Sequence, residues 1–166
     1  MSTPLLYHAW GVDGYLVVRT ELVEQAVHFH VRRAEASPSC TRCGSRAVTR
    51  EGTREVQVQT VPVGLTPVFL VLHLRMLRCR VCHAVAQERR EITAPRKRYT
   101  RLFAQYVLQL AEHMTRSAIA GLLGVGWDLV KEIVARDLRQ RAAARSWSAV
   151  KRIAIDEIAV KKGTTP

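Results

Sequence analysis

The residues best suited to chemistry are four cysteines arranged as two couplets, each with two residues between its cysteines. A couplet places two thiols on one tight turn, and two such turns facing each other supply the four thiolates that Zn²⁺ binds tetrahedrally. The 35 residues between the couplets are too many for a common zinc finger and favour long strands that return the second turn to the first, as in a zinc ribbon. The predicted zinc ligands are Cys40, Cys43, Cys79 and Cys82.

Disulfides and thiol redox chemistry are the alternative interpretations of the couplets. Disulfides suit secreted chains, but residues 1–10 lack the basic start and apolar core of a signal peptide. A redox motif needs one couplet at a helix start in a βαβ pattern. Structural zinc is therefore favoured, and His83, which follows Cys82, is interpreted as a bystander because four thiolates already fill the site.

The whole chain has a formal net charge of +12, and its basic residues are concentrated in the second half. Residues 89–152 hold 14 Lys and Arg against 5 Asp and Glu, whereas residues 1–88 hold 10 against 7. Such a block is typical of a module that binds a polyanion. No apolar run approaches the roughly 18 residues of a membrane span, and the basic segments lack an amphipathic helix with bulky apolar anchors. Nucleic acid is the predicted partner, and a membrane is not.

Alternating apolar residues predict the strands that position the couplets. Tyr15–Glu21 and Ala26–Arg33 are strand candidates near the amino terminus, followed by Arg54–Val61 and Phe69–Arg78, which leads directly into Cys79. A ribbon this small has little core of its own, so the metal is expected to supply much of its folding energy.

Two histidines, His28 and His30, share one face of the Ala26–Arg33 strand. Such a pair can bind a metal, but the sequence indicates no third ligand nearby. They are interpreted as solvated surface side chains.

A basic run, Arg96, Lys97 and Arg98, follows Pro95 and precedes a helical segment. It is interpreted as part of a basic linker over residues 89–99. Two interpretations of the run are equally favoured: solvated surface charge, and an arm that contacts phosphates.

Residues 100–145 change to helical periodicity. Thr100 is predicted to cap a first helix and Ser117 to open a second. Gly124 then supplies a left-handed turn residue, and a third helix begins at Trp127. A supporting helix followed by a helix, a glycine turn and another helix is the layout of a helix-turn-helix domain. The predicted buried stripe of the third helix is Val130, Ile133, Val134 and Leu138.

If this unit binds DNA, the amino end of the third helix is expected to reach base edges. The predicted base-reading residues are Trp127, Asp128 and Lys131, and the predicted phosphate contacts are Arg136, Arg139, Arg96, Lys97 and Arg98. The alternative is a three-helix core without a role in DNA binding, in which Trp127 packs against the first helix.

Near the carboxyl end, an apolar strand pattern ends in Asp156. A strand aspartate can bind Mg²⁺ in a phosphoryl-transfer site. A structural or solvated role is the alternative.

Together these motifs resemble bacterial insertion-sequence transposases of the ISL-three group. The matching stretches are Cys40-x-x-Cys43-Gly44, Arg78-Cys79-x-x-Cys82, Leu123-Gly124-Val125-Gly126-Trp127-Asp128-x-Val130-Lys131 and Ile155-Asp156-Glu157-x-x-x-x-Lys162-Gly163. The resemblance implies a zinc ribbon and a helix-turn-helix that bind the terminal inverted repeats of the element. It also implies that Asp156 is the first carboxylate of a DDE triad in an RNase H-like domain.

The expected fold class is α+β, with a small β-rich zinc ribbon, a three-helix helix-turn-helix domain and one trailing β-strand. The expected division is an amino-terminal β segment (1–36), zinc ribbon (37–88), basic linker (89–99), helix-turn-helix (100–145) and the first strand of an incomplete DDE domain (146–166).

The expected function is that of the DNA-binding amino-terminal part of a transposase, truncated and not itself an enzyme, because a two-metal site needs further carboxylates. Zinc is the expected cofactor, and Mg²⁺ is expected only in a complete catalytic domain. Double-stranded DNA, full-length transposase or a second copy of the chain are the expected partners, in the bacterial cytoplasm at the nucleoid. The alternatives are an active transposase completed from a downstream frame and a zinc-ribbon adaptor that binds protein.

Overall fold

The computed structural model describes residues 4–34, 38–94 and 96–146. It confirms the α+β class, with a β-rich first part followed by helices. The predicted trailing strand and Asp156 lie outside the described residues. The elements are α1 (Pro4–Trp10), β1 (Tyr15–Val23), β2 (Ala26–Arg33), β3 (Val48–Val63), β4 (Thr66–Cys79), β5 (Val85–Gln87), α2 (Arg101–Leu110), α3 (Arg116–Leu123) and α4 (Trp127–Ala144).

One sheet joins the amino-terminal strands to the strands between the cysteine couplets. Its order is β1-β2-β4-β3, and β5 also pairs with β4. Strands β2 and β4 run parallel, and the other neighbours are antiparallel. The connection between β2 and β4 therefore includes the first couplet and all of β3. The predicted amino-terminal segment and the predicted ribbon thus share one hydrogen-bonded sheet.

The main core lies on the sheet face formed by the apolar positions of β4. Leu70, Leu72 and Leu74 alternate along the strand and are at most 1% exposed, so they share one face of the sheet. Helix α1 covers this face with Leu6 and Trp10. Residues outside the predicted ribbon therefore contribute to the core that packs on β3 and β4, and the expectation that metal supplies much of the folding energy stays a prediction.

Helix α1 is absent from the predicted elements because seven residues make fewer than two turns and show little periodicity. Tertiary contacts hold it instead. The indole N–H of Trp10 donates a hydrogen bond to the carbonyl oxygen of Val61 (2.8 Å), and the Trp10 ring packs against Phe29 with 5.4 Å between the ring centroids.

The segment predicted as a basic linker is held against the sheet. The backbone N–H of Gln59 donates to the carbonyl oxygen of Arg98, and the N–H of Thr100 donates to the carbonyl oxygen of Gln59, each at 2.9 Å. The side chains of Tyr99 and Thr100 are buried. Two backbone hydrogen bonds therefore join the sheet to the segment that leads into the helical unit.

The three carboxyl-terminal helices pack around their own core. Thr100 caps α2, as predicted. Thr115, instead of the predicted Ser117, caps α3, and Gly124 takes the predicted left-handed conformation with φ 61°. The buried residues of this core are Tyr99, Phe103, Val107, Ile119, Ala120, Leu123, Val130 and Ile133.

The predicted buried stripe of α4 is wrong at Leu138, which is 59% exposed. The last buried residue of α4 is Ile133, because Leu138 does not pack against the core of the three helices. Among the described residues, no helix is long and apolar enough to cross a membrane.

Candidate metal centre and nucleic-acid interface

The antiparallel pairing of β3 and β4 brings the two cysteine couplets together. Val48, at the start of β3, pairs with Cys79, at the end of β4, so the couplet before β3 meets the couplet after β4. The backbone N–H of Arg80 also donates to the carbonyl oxygen of Ala47 (2.8 Å), which fixes the two turns side by side.

The four sulfurs form one compact group. Each short contact joins opposite couplets: Cys40 Sγ to Cys82 Sγ at 3.6 Å and Cys43 Sγ to Cys79 Sγ at 3.5 Å. All four sulfurs lie within 4.8 Å of one another. Zinc–sulfur bonds of 2.3 Å in a tetrahedron separate the sulfurs by about 3.8 Å, whereas a disulfide requires about 2.05 Å. The geometry therefore fits a shared metal ion and does not fit disulfides.

The electrostatic interactions among the four cysteine sulfurs also favour a bound cation. Hydrogen bonds from backbone N–H groups, that of Cys43 first, lower the pKa of Cys40 to about 6. The backbone N–H of Ser45 lowers the pKa of Cys43, but the neighbouring thiols, Cys79 first, outweigh it and raise this pKa to about 12. Four thiolates this close repel one another unless a metal ion neutralises them. The donor set thus fits Zn²⁺.

Each couplet ends in a residue with positive φ. Gly44 follows Cys43 with φ 77°, and His83 follows Cys82 with φ 55°. Glycine adopts the Gly44 conformation without steric cost. His83 is exposed and does not belong to the four-sulfur group.

The amino end of α4 presents polar and aromatic side chains to solvent. Asp128 and Lys131 are exposed, and Trp127 is 45% exposed, which argues against the alternative that it is a core residue. Lys131 Nζ lies 5.0 Å from the centroid of the Trp127 ring, within cation–π range. The structure therefore groups all three predicted base-reading residues on one exposed surface.

The basic run 96–98 lies beside α4. Lys97 Nζ forms an ion pair with the carboxylate of Glu132, and the Tyr99 hydroxyl donates to the same carboxylate at 3.3 Å. Arg96 and Arg98 are exposed. An open groove of about 500 Å³ lies between this run and α4. The run is thus docked near the predicted base-reading surface, and Lys97 already has a partner within the chain.

Glu132 is the electrostatic centre of this docking. The hydrogen bond from Lys97 lowers the pKa of Glu132 below its usual value, and Arg136 contributes in the same direction. Burial, together with the charge of Glu132, raises the pKa of Tyr99. A charged Glu132 and a neutral Tyr99 therefore hold the run against α4 near neutral pH.

The remaining predicted phosphate contacts lie farther along α4. Arg136 is half-buried beside Glu132, whereas Arg139 is exposed. Arg139 lies eight residues beyond Lys131, which is about 12 Å along a helix. It belongs to the same helix but to a different part of its surface.

Two features of interest were missed by sequence reasoning. Arg116 is exposed in the first turn of α3, where a helix-turn-helix protein contacts the DNA backbone. His30, interpreted as a solvated side chain, is 4% exposed, so that interpretation is wrong. Its partner is His73 on β4, at 3.1 Å, and only the parallel pairing of β2 with β4 brings the two histidines together.

Two family models match consecutive parts of the chain. Residues 36–82 match the zinc-finger of transposase IS204/IS1001/IS1096/IS1165, and residues 90–138 match the helix-turn-helix domain of transposase family ISL3. These two parts of the chain are similar to the zinc ribbon and the helix-turn-helix of ISL3-family transposases.

A similar full-length relative is the transposase for insertion sequence element IS1001 of Bordetella parapertussis. It is 28% identical to this chain over an alignment 166 residues long, and the alignment covers 98% of this chain. This chain spans 41% of the length of that relative. No solved structure matches the chain.

Proposed function

We propose that this chain is the zinc-stabilised DNA-binding part of an ISL3-family transposase and that it binds the terminal inverted repeats of its insertion sequence. The observation that carries the proposal is the exposed amino end of α4, where Asp128 and Lys131 stand beside the docked basic run 96–98. The family matches over both the ribbon and the helix-turn-helix support it.

In this proposal α4 enters the major groove as the recognition helix. The groove is about 12 Å wide and admits one helix, and the left-handed turn at Gly124 sets the angle between α3 and α4. Lys131 donates hydrogen bonds to guanine O6 and N7, and Asp128 accepts one from the cytosine amino group. Trp127 restricts the Lys131 side chain through their cation–π contact.

The phosphate contacts come from exposed arginines on both sides of α4. Arg96 and Arg98 approach the strand along one flank, Arg116 at the start of α3 approaches the backbone as α3 crosses it, and Arg139 reaches a phosphate farther along. Lys97 and the half-buried Arg136 act mainly inside the protein, through Glu132.

One Zn²⁺ bound by Cys40, Cys43, Cys79 and Cys82 holds the ends of β3 and β4 together. Zinc here is structural because four protein ligands leave no open position. Asp156 as the first DDE carboxylate, with Mg²⁺ as the ion of a complete catalytic domain, stays a prediction. Because that role is catalytic, the Asp156→Asn variant of the chain is expected to bind duplex DNA with unchanged affinity.

Transposition joins two ends of one element, so we also propose that the chain acts at paired repeats, either as a homodimer or together with full-length transposase. The place of action is then the bacterial cytoplasm, at the nucleoid. Sedimentation of the protein with one and with two repeat duplexes separates monomeric from dimeric occupancy.

The test is the affinity of single variants for a repeat duplex and for a scrambled duplex. Lys131→Ala removes a base contact and is expected to weaken repeat binding by about 1–3 kcal/mol, with scrambled binding nearly unchanged. Arg98→Ala removes a phosphate contact and is expected to weaken both duplexes equally. Equal losses on both duplexes for Lys131→Ala would contradict base reading by α4.

A further inference from the structure

Four polar side chains, one from each of β1, β2, β4 and β3, form a continuous row across the sheet. His30 Nε2 lies 3.0 Å from a Glu21 carboxylate oxygen, His30 Nδ1 lies 3.1 Å from His73 Nε2, and His73 Nδ1 lies 3.2 Å from a Glu55 carboxylate oxygen. The row lies on the sheet face opposite the leucines of β4, since His73 alternates with them along the strand.

The row has one hydrogen too few. Three hydrogen bonds need three hydrogens, but two neutral imidazoles carry only two N–H groups. If each outer ring nitrogen donates to its carboxylate, His30 Nδ1 and His73 Nε2 point lone pairs at each other across 3.1 Å. Such an arrangement needs either one additional proton or a metal ion between the two nitrogens.

We propose that His30 Nδ1 and His73 Nε2 bind a divalent transition-metal ion of the zinc class. A histidine that binds a metal usually donates its other N–H to a carboxylate, and here Glu21 and Glu55 accept from both rings. The two carboxylates also balance the charge of the ion. Imidazole nitrogen is a preferred donor for Zn²⁺, Cu²⁺ and Ni²⁺.

The geometry needs little adjustment to hold the ion. Two nitrogens bound tetrahedrally at 2.0–2.1 Å are about 3.4 Å apart, so the rings separate by a few tenths of an ångström. His30, His73 and Glu55 each offer a ligand atom within 4.8 Å of the others, so the Glu55 oxygen that does not accept from His73 can approach the ion.

An ion can reach the site from solvent. A cavity of about 440 Å³ opens beside His73 and Glu55, whereas His30 is buried behind them. Of the four arginines that line the cavity, Arg33 and Arg75 are paired with Glu91 and Glu88, whereas Arg32 and Arg50 add positive charge there. This site is separate from the cysteines and does not depend on the proposed DNA-binding function.

Equilibrium dialysis of the full chain against Zn²⁺ at micromolar free concentration tests the proposal. The wild-type protein is expected to bind two ions, one at the cysteines and one at the histidines. His30→Gln and His73→Gln are each expected to bind one. His28→Gln is the matched control, because His28 lies on the same face of β2 but packs against Phe69, and it is expected to bind two.

Glu21→Gln gives a second readout that leaves both ligands in place. It is expected to weaken the second ion 10- to 100-fold, as loss of an outer carboxylate does at metal sites. Sulfur-to-cobalt charge-transfer absorption after Co²⁺ substitution shows that the cysteine site, and so the fold around it, survives in each variant. One ion per wild-type chain, or a second ion kept by both His30→Gln and His73→Gln, would overturn the proposal and leave only a shared proton in the row.

Discussion

Gly44 and His83 occupy equivalent positions, each directly after the second cysteine of its couplet, and both have positive φ. Glycine adopts this conformation without steric cost, whereas a residue with a Cβ is strained there. A Cβ built at Gly44 meets no other heavy atom within 4 Å, so the difference between the two turns is one of backbone strain alone. The two zinc turns therefore differ in stability by the choice of one residue.

Exchanging the residue types at these positions should change stability in opposite directions. His83→Gly is expected to raise, and Gly44→Ala to lower, the free energy of unfolding of the zinc-loaded protein by about 1 kcal/mol each. Urea denaturation followed by circular dichroism measures both changes. Equal signs for the two variants would show that strain does not govern these turns.

Residue types and spacing were sufficient to predict the cysteine group, because two residues between thiols confine each pair to one turn whatever the rest of the chain does. They were not sufficient for the histidine row. His30 and His73 are 43 residues apart, and only strand order and register, which depend on the packed core, make them neighbours. Interpretation of His30 as solvated failed for that reason.

At the scale of elements, two threonines cap successive helices in different surroundings. Thr100 Oγ1 accepts from the N–H of Phe103 at 3.0 Å, and Thr115 Oγ1 accepts from the N–H of Ala118 at 3.3 Å. Thr100 also shares a buried hydrogen bond with Thr60 of β3 (3.1 Å). Thr100 therefore caps α2 and also joins the helical unit to the sheet, whereas Thr115 only caps α3.

Removing the two caps should cost different amounts. Thr115→Ala is expected to lower the free energy of unfolding by about 1 kcal/mol, as an exposed cap does. Thr100→Ala is expected to cost about 2–3 kcal/mol, because it also leaves the Thr60 hydroxyl buried without its partner. Denaturant unfolding of both variants gives the comparison, and equal losses would mean that the Thr60 contact contributes nothing.

Elements with strong periodicity were predictable, and short or peripheral ones were not. Alternation predicted β2 with the bounds observed and most of β4. Helix α1 and the three-residue β5 depend on tertiary contacts, so their sequences carry little signal. Leu138 fits the helical period of α4 but does not pack against the core of the three helices and is exposed.

At the scale of the whole molecule, Glu132 sets how much positive charge the helical unit offers to DNA. Its carboxylate holds Lys97, which leaves Arg96 and Arg98 as the free charges of the basic run. Sequence charge alone predicted three equivalent phosphate contacts, because the pairing of Lys97 exists only after the run docks on α4.

Neutralising Glu132 should therefore strengthen DNA binding that does not depend on sequence. In Glu132→Gln the amide still accepts from Tyr99, but Lys97 becomes free to contact a phosphate. The slope of log K against log salt on a scrambled duplex is expected to become steeper by about 0.9, the value for one phosphate contact. Glu112→Gln, at an exposed acidic residue beyond α2, is the control and should not change the slope.

Base reading by α4 makes DNA binding depend on sequence. This dependence is measured by titrating the zinc-loaded chain, at one physiological salt concentration, onto a duplex of the terminal inverted repeat and onto a duplex of the same composition in scrambled order. The repeat is expected to be bound at least about 10³-fold more tightly, the lower end for specific DNA-binding proteins. Equal affinity for the two duplexes would contradict this expectation.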